Sequence, residues 1–132
     1  MTKNSSLHRI PEYDVGSIVF ATDQGLGILA KDFYDAMMID TAVVVKHGRR
    51  RDHPEWYFHP LLVNSLHTDT QKIKDYCLKQ DCMFFFETPF LWDLIPFCKT
   101  NGVATILMPM YECMPRELPA VPDVMICPSD ID

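Results

Sequence analysis

The sequence lacks several patterns that would place it in a common functional class. No stretch approaches the roughly 18 consecutive apolar residues that cross a bilayer, and residues 1–9 are polar, without the apolar segment of a secretory signal. No serine lies in a G-x-S-x-G motif and no lysine lies in a P-loop motif, which argues against common hydrolases and nucleoside triphosphatases. We therefore expect a soluble, cytoplasmic protein with no integral membrane segment.

Cysteine and histidine are present in arrangements that favour neither disulfides nor a metal site. The five cysteines show no C-x-x-C spacing, and several lie within apolar stretches, so we interpret them as reduced core residues. Four histidines lack the helical pairing of a zinc motif: His47, His53, His59 and His67. The sequence therefore predicts no metal site.

The chain is acidic and long enough for one hydrophobic core. It has 132 residues, of which 48% are hydrophobic, and a formal net charge of −6. A chain of this length buries a single core of ordinary size. Because binding to nucleic acid needs a net basic face, the charge argues against a nucleic-acid partner. We expect a lead-in segment over residues 1–14 and one domain over residues 15–132.

Short apolar runs alternate with helical patterns along the domain. The apolar runs predict six strands, at residues 17–23, 41–47, 61–66, 82–87, 103–108 and 124–127. Helical spacing of apolar residues predicts helices after Gly27, with Met37 on the buried face, and over 69–80 and about 90–99. This alternation is typical of an open three-layer α/β/α Rossmann-like domain with a mostly parallel sheet.

Asp23, Gly25 and Gly27 follow the first predicted strand, at the end where parallel sheets bind ligands. They precede a helix in a G-x-G-x-x-A pattern, in which glycines let a phosphate or sugar approach the backbone closely. The same glycines are equally compatible with a tight turn that binds nothing.

Carboxylates and hydroxyls follow three later strands. Glu87 ends the fourth predicted strand, Tyr111 and Glu112 follow the fifth, and Ser129 follows the last. A carboxylate at such a place can accept hydrogen bonds from a substrate hydroxyl or act as a base, and it can equally cap a helix or brace a loop. We predict that these four residues contribute to substrate binding.

A run of cations, Arg49, Arg50 and Arg51, follows the second predicted strand. Guanidinium groups suit phosphate binding, whereas the alternative is a solvated surface loop. Together with the glycine pattern, these arginines also suit the 2′-phosphate of NADP, which keeps an NADP-dependent oxidoreductase open as an alternative function. A further alternative is a non-catalytic Rossmann-like binding module that assembles with a partner chain or with a second copy of itself.

Three segments, residues 21–27, 108–115 and 122–129, resemble the N-terminal domain of GT-B-fold glycosyltransferases of the glycogen-synthase-like, or group 1, type. The likeness covers nearly the whole chain. It implies the acceptor-side half of an enzyme that moves a sugar from a nucleotide diphosphate sugar to a hydroxyl of a sugar or glycan acceptor. It also implies no required metal and no tightly bound cofactor.

In such enzymes a second domain holds the donor and typically carries a Glu-x7-Glu motif, and no two glutamates in this sequence have that spacing. The resemblance therefore implies that this chain is inactive alone and works with a C-terminal domain or a partner chain. The residues that the resemblance places on the acceptor side are Gly25, Gly27, Glu87, Tyr111 and Glu112.

Overall fold

All six strands in the described part of the chain form one parallel sheet. The structure is a computed structural model that describes residues 13–86, 92–108 and 121–126. The strands are β1 (Val15–Val19), β2 (Thr41–Val45), β3 (Leu61–Val63), β4 (Cys82–Phe86), β5 (Ala104–Met108) and β6 (Val124–Met125). Their spatial order is β3-β2-β1-β4-β5-β6, and each neighbouring pair is parallel. The predicted α/β class is confirmed.

Helices cover both faces of the sheet. They are α1 (Gly25–Asp35), α2 (Thr70–Leu78) and α3 (Leu94–Thr100), and a single 3₁₀ turn spans Pro54–Trp56. In β2, Val43 and Val45 pack in one core with Ile73 of α2, whereas Val44 packs in a second core with Ala30 of α1. Because both faces of the central strands are buried, β2 and β4 are nearly continuous apolar runs rather than alternating patterns. No helix in the described part is long and apolar enough to cross a membrane.

The order of the strands creates a crevice beside β1. From β1 the chain passes through α1 to β2 and β3 on one side, and α2 then carries it across to β4 on the other side. The connections that leave β1 and β4 at their carboxyl ends therefore diverge, and open α/β sheets bind ligands in the crevice between such connections. Residues 20–24, the turn after β1, lie at this point.

The first strand and the first helix end earlier than the sequence predicts. β1 stops at Val19 rather than at residue 23, and the N–H of Thr22 donates to the carbonyl of Phe20 at 2.9 Å. Met37 lies beyond the end of α1 in the left-handed region, with φ of 65°, and its side chain is exposed rather than on the buried face. The helix ends there because the N–H groups of Met37 and Met38 bond back to Tyr34 and Phe33.

Asp69 lies at the amino end of α2, as expected, but its carboxylate does not cap the helix. The carboxylate instead accepts the backbone N–H groups of Asn64 at 2.8 Å and Ser65 at 3.3 Å. These bonds lower the pKa of Asp69, the bond from Asn64 contributing most. Asp69 therefore fixes the loop between β3 and α2.

Pro96 falls in the first turn of α3, where a helix tolerates proline because the missing N–H has no partner within the helix. The helix begins at Leu94 rather than near residue 90, and residues 90 and 91 lie outside the described part of the chain.

The hydroxyl of Tyr57 is buried between α1 and the sheet and has no hydrogen-bond partner among the residues that the structure describes. Its burial raises the pKa of Tyr57 well above the usual value. Because phenylalanine fills the same space without the unpartnered hydroxyl, we expect Tyr57→Phe to raise the free energy of unfolding by roughly 1 kcal/mol. Urea unfolding measures this change.

Tyr34→Phe is the matched control for Tyr57→Phe, since the two rings contact edge to face with centroids 4.8 Å apart. The Tyr34 hydroxyl accepts the backbone N–H of Phe58 at 3.0 Å, so this variant should be less stable than the parent. A lower free energy of unfolding in Tyr57→Phe would show that the Tyr57 hydroxyl of the parent has a favourable partner.

Candidate functional site

The two glycines of the G-x-G-x-x-A pattern have different roles in the structure. A Cβ at Gly27 would overlap the carbonyl oxygen of Thr22 and would lie 2.9 Å from the carbonyl oxygen of Phe20. Gly27 is therefore needed so that α1 can contact the turn after β1. A Cβ at Gly25 would have no atom of the described residues within 4 Å, so the described part of the chain leaves the space beside this residue open. Gly25 is the residue of the pair that a ligand can approach.

The loop after β2, residues 46–53, is an ordered structure rather than an extended solvated arm. The ring nitrogen Nδ1 of His47 accepts the N–H groups of Arg49 and Arg50, each at 3.3 Å. The carboxylate of Asp52 accepts the N–H of His47 at 3.1 Å, and Gly48 has φ of 92°, which a glycine adopts without strain. The arginines therefore project from a closed turn.

Arg50 joins this loop to the start of α1. With its amide oxygen facing the guanidinium group, Gln24 accepts hydrogen bonds from Nε and Nη2 of Arg50 at 2.6 and 2.7 Å. Gln24 is the last residue before α1. The structure thus brings together the glycine turn and the arginine run, which the sequence analysis singled out separately.

His53 lies between two carboxylates at the same edge of the sheet. Its Nε2 is 3.3 Å from a carboxylate oxygen of Asp23, and its Nδ1 is 3.1 Å from a carboxylate oxygen of Glu55. The imidazole stacks on the indole of Trp56 with centroids 4.6 Å apart, and the His53 N–H donates to the carbonyl of Ala21 at 2.8 Å.

These contacts hold the turn after β1 and the loop after β2 together. They also orient the carboxylate of Asp23, whose side chain remains 71% exposed, whereas that of His53 is 13% exposed. In the sequence, His53 ends a cation-rich run that could bind phosphate and belongs to no metal motif, and neither pattern predicts this role. The available signal was the H-P-E-W run at residues 53–56, in which Pro54 begins a turn that places Glu55 and Trp56 beside the histidine.

Glu55 is the outer carboxylate of this arrangement. Its pKa is lowered first by a hydrogen bond with the backbone and then by its hydrogen bond with His53, while the nearby charge of Arg51 acts in the same direction. Glu55 therefore carries a negative charge at neutral pH and can orient the imidazole of His53 toward Asp23.

The remaining predicted substrate-binding residues, Glu87, Tyr111, Glu112 and Ser129, lie outside the described residues. In residues 13–86, 92–108 and 121–126, no group of three or more histidine, cysteine or acidic side chains could hold a metal ion. The described site therefore consists of the turn after β1, the start of α1 and the loop after β2.

Comparisons of the chain with protein-family models, with curated proteins and with solved structures found no match.

The site presents two kinds of polar group around one open space. The exposed carboxylate of Asp23 accepts hydrogen bonds and suits a ligand that carries hydroxyl groups. The guanidinium groups of Arg49, Arg50 and Arg51 donate hydrogen bonds and suit an anion. Asp23 and the Arg50 partner Gln24 are the two residues that precede Gly25, so a carboxylate and the Arg50 guanidinium group both lie near the start of α1.

Proposed function

We propose that this chain is the acceptor-side domain of a glycosyltransferase that uses a nucleotide diphosphate sugar as donor. The observation that carries the proposal is the exposed Asp23 carboxylate, oriented by His53 beside the open space at Gly25. This arrangement lies at the crevice of a parallel sheet, where such folds bind ligands. A sugar or glycan acceptor offers the hydroxyl groups that a carboxylate recognises.

In the proposed reaction, the bond between the anomeric carbon of the donor and the diphosphate oxygen breaks. A bond between that carbon and an acceptor oxygen forms, the acceptor hydroxyl loses its proton to a base, and the nucleoside diphosphate leaves. Such an enzyme needs a donor-binding domain or partner chain in addition to this domain. Asp23 is proposed here as an acceptor-binding residue.

Gly27 argues against the alternative of an NADP-dependent oxidoreductase. In a dinucleotide fingerprint the second glycine lets the pyrophosphate approach the backbone. Here the corresponding glycine, Gly27, is covered by the backbone of Phe20 and Thr22. The five residues 20–24 also separate the end of β1 from Gly25, whereas a dinucleotide fingerprint begins at the end of the strand. The position of Arg50 beside the turn is the observation that favours the oxidoreductase.

Nuclear magnetic resonance of the ¹⁵N-labelled 132-residue chain tests the proposal. Free mono- and disaccharides, nucleotide sugars and NADPH are titrated separately. We expect saturable shifts of the backbone amides of residues 22–27 with saccharides. Because a hydrogen bond to a charged group contributes about 1.5–3 kcal/mol, Asp23→Asn should weaken the binding of the best saccharide by roughly tenfold or more.

Asp32→Asn is the matched control, since Asp32 is exposed on α1 away from the turn. This variant should bind the saccharide as the parent does. Saturable binding of NADPH at the same amides, with no shift from any saccharide, would contradict the glycosyltransferase proposal and support the oxidoreductase.

A further inference from the structure

The loop of residues 46–53 is a basic segment of an acidic protein. It contains four cations, Lys46 and the three arginines, and one carboxylate, Asp52, in a chain whose net charge is −6. We infer that this loop binds a phosphate group of a ligand at the carboxyl edge of the sheet. The inference rests on the proposed function and deepens it by naming the chemical class of a ligand at the same site.

The positive charges of the loop are not neutralised within the described structure. Among the described residues, no carboxylate lies within 4 Å of the guanidinium groups of Arg49, Arg50 or Arg51. The partner of Arg50 is the neutral amide of Gln24. Three adjacent like charges repel one another, and an anion bound between them removes this repulsion.

The nearby carboxylates are already engaged elsewhere. Asp23 and Glu55 both face the ring nitrogens of His53, and Asp52 accepts the backbone N–H of His47. Glu55 is close enough to Arg51 for its pKa to be lowered slightly by that charge, but the two side chains form no ion pair. The arginines are therefore available to an external anion.

Arg50 is positioned and still has free donors. A guanidinium group has five N–H donors, and the contact with Gln24 uses Nε and one hydrogen of Nη2, which leaves about three. The contact also fixes the orientation of the guanidinium plane, so less side-chain entropy is lost when an anion binds. The planar group suits paired hydrogen bonds to phosphate oxygens.

The surroundings of Arg50 leave room for such a ligand. Gln24 precedes Gly25, beside which the space is open, and the first turn of α1 contains no acidic residue that would repel an anion. The loop itself is held against the turn after β1 by the bond between the His53 N–H and the carbonyl of Ala21. The Arg50 guanidinium group therefore lies beside the start of α1, at the edge of the sheet where the acceptor is proposed to bind.

A phosphate at this place has two sources in a glycosyltransferase reaction. It belongs either to the diphosphate of the donor nucleotide or to an acceptor that is itself a phosphate ester. Both sources present phosphate oxygens to the arginines. Inorganic pyrophosphate therefore tests the site itself, and nucleotides and a sugar phosphate distinguish the two sources.

The first test is titration of the ¹⁵N-labelled chain with inorganic pyrophosphate at constant ionic strength. We expect saturable shifts of the backbone amides of residues 24–27 and 48–52. Arg50→Gln should weaken the binding by about tenfold or more, since it removes a charge-assisted pair of hydrogen bonds. Arg50→Lys, which keeps the charge but loses the planar fork, should give an intermediate loss.

Lys72→Gln is the matched control, because it removes one exposed positive charge on α2 whose nearest carboxylate, that of Asp69, is 4.0 Å away. The control should leave pyrophosphate binding within about twofold of the parent. Equal losses in Arg50→Gln and Lys72→Gln, or shifts that increase linearly without saturation, would overturn the inference. The spectrum of each variant without ligand shows whether it is folded.

Three further probes distinguish the sources of the phosphate: UDP, GDP and glucose 6-phosphate. A nucleoside diphosphate that binds about tenfold more tightly than pyrophosphate assigns the site to the donor. Glucose 6-phosphate that binds at least as tightly as both nucleotides assigns it to a phosphorylated acceptor. Saccharide binding without any phosphate binding would overturn the phosphate site and leave the proposed function intact. Phosphate binding without any saccharide binding would support the phosphate site and contradict the proposed acceptor site.

Discussion

Gly27→Ala is expected to lower the free energy of unfolding by roughly 2–3 kcal/mol, because the added methyl group has no space. Its Cβ would overlap the carbonyl oxygen of Thr22 and approach the backbone nitrogen of the same residue to 2.9 Å. These are backbone atoms, and the bond from the His53 N–H to the carbonyl of Ala21 holds the turn in place. Relief of the overlap requires α1 to move away from β1.

Gly25→Ala is the matched control for this effect. Both glycines lie in α1, so alanine improves helix propensity in each case, but a Cβ at Gly25 meets no atom within 4 Å in the part of the chain that the structure describes. We expect Gly25→Ala to be neutral or to stabilise the protein by about 0.5–1 kcal/mol. Chemical unfolding of the two variants measures the difference. Equal stabilities would show that α1 does not contact the turn as described.

Ile73→Ala is expected to destabilise the protein by about 2–5 kcal/mol, the usual range for removal of a large buried aliphatic side chain. Ile73 is 0% exposed and packs in the core between α2, α3 and the sheet. The smaller side chain leaves a cavity in this core and loses its contacts. Since α2 is the connection that carries the chain across to β4, this packing also supports the crevice beside β1.

Leu78→Ala in the same helix provides the comparison. Its side chain is 48% exposed, and alanine has a helix propensity at least as favourable as leucine, so we expect a change below about 1 kcal/mol. Urea unfolding of the two variants gives both values. A loss at Leu78 as large as that at Ile73 would mean that α2 buries a different face from the one described.

The existence of the strands and of the three α-helices was predictable because it depends on local patterns, whereas the 3₁₀ turn at Pro54–Trp56 was not predicted. The β-branched run of residues 41–45 predicts a buried strand, and the structure has β2 there. The spacing of Ile73 and Cys77 predicts the buried face of α2, and both side chains are fully buried. The pattern was less informative at element ends, where the positions of Met37 and Asp69 depend on a few specific hydrogen bonds.

The candidate site was predictable as separate pieces. The glycine pattern and the arginine run were recognisable because each is contiguous in the sequence. Their contact through Gln24 and Arg50 joins residues 26 positions apart, and no local pattern encodes it. The bond between Asp23 and His53 likewise joins residues 30 positions apart.

The amino-acid sequence by itself determined the fold class and the approximate positions of strands and helices. It also determined which polar residues follow the first two strands. These properties follow from hydrophobic periodicity and backbone preference, which act over a few residues. The pairing of β1 with β2 was predictable from the βαβ pattern, and the structure has it. Only the tertiary structure decided the places of the other four strands in the sheet, that Gly27 packs against the turn while Gly25 remains open, and that His53 orients Asp23. Those outcomes depend on which buried surfaces fit together across the whole chain, and close packing selects them over distances that no local pattern reaches.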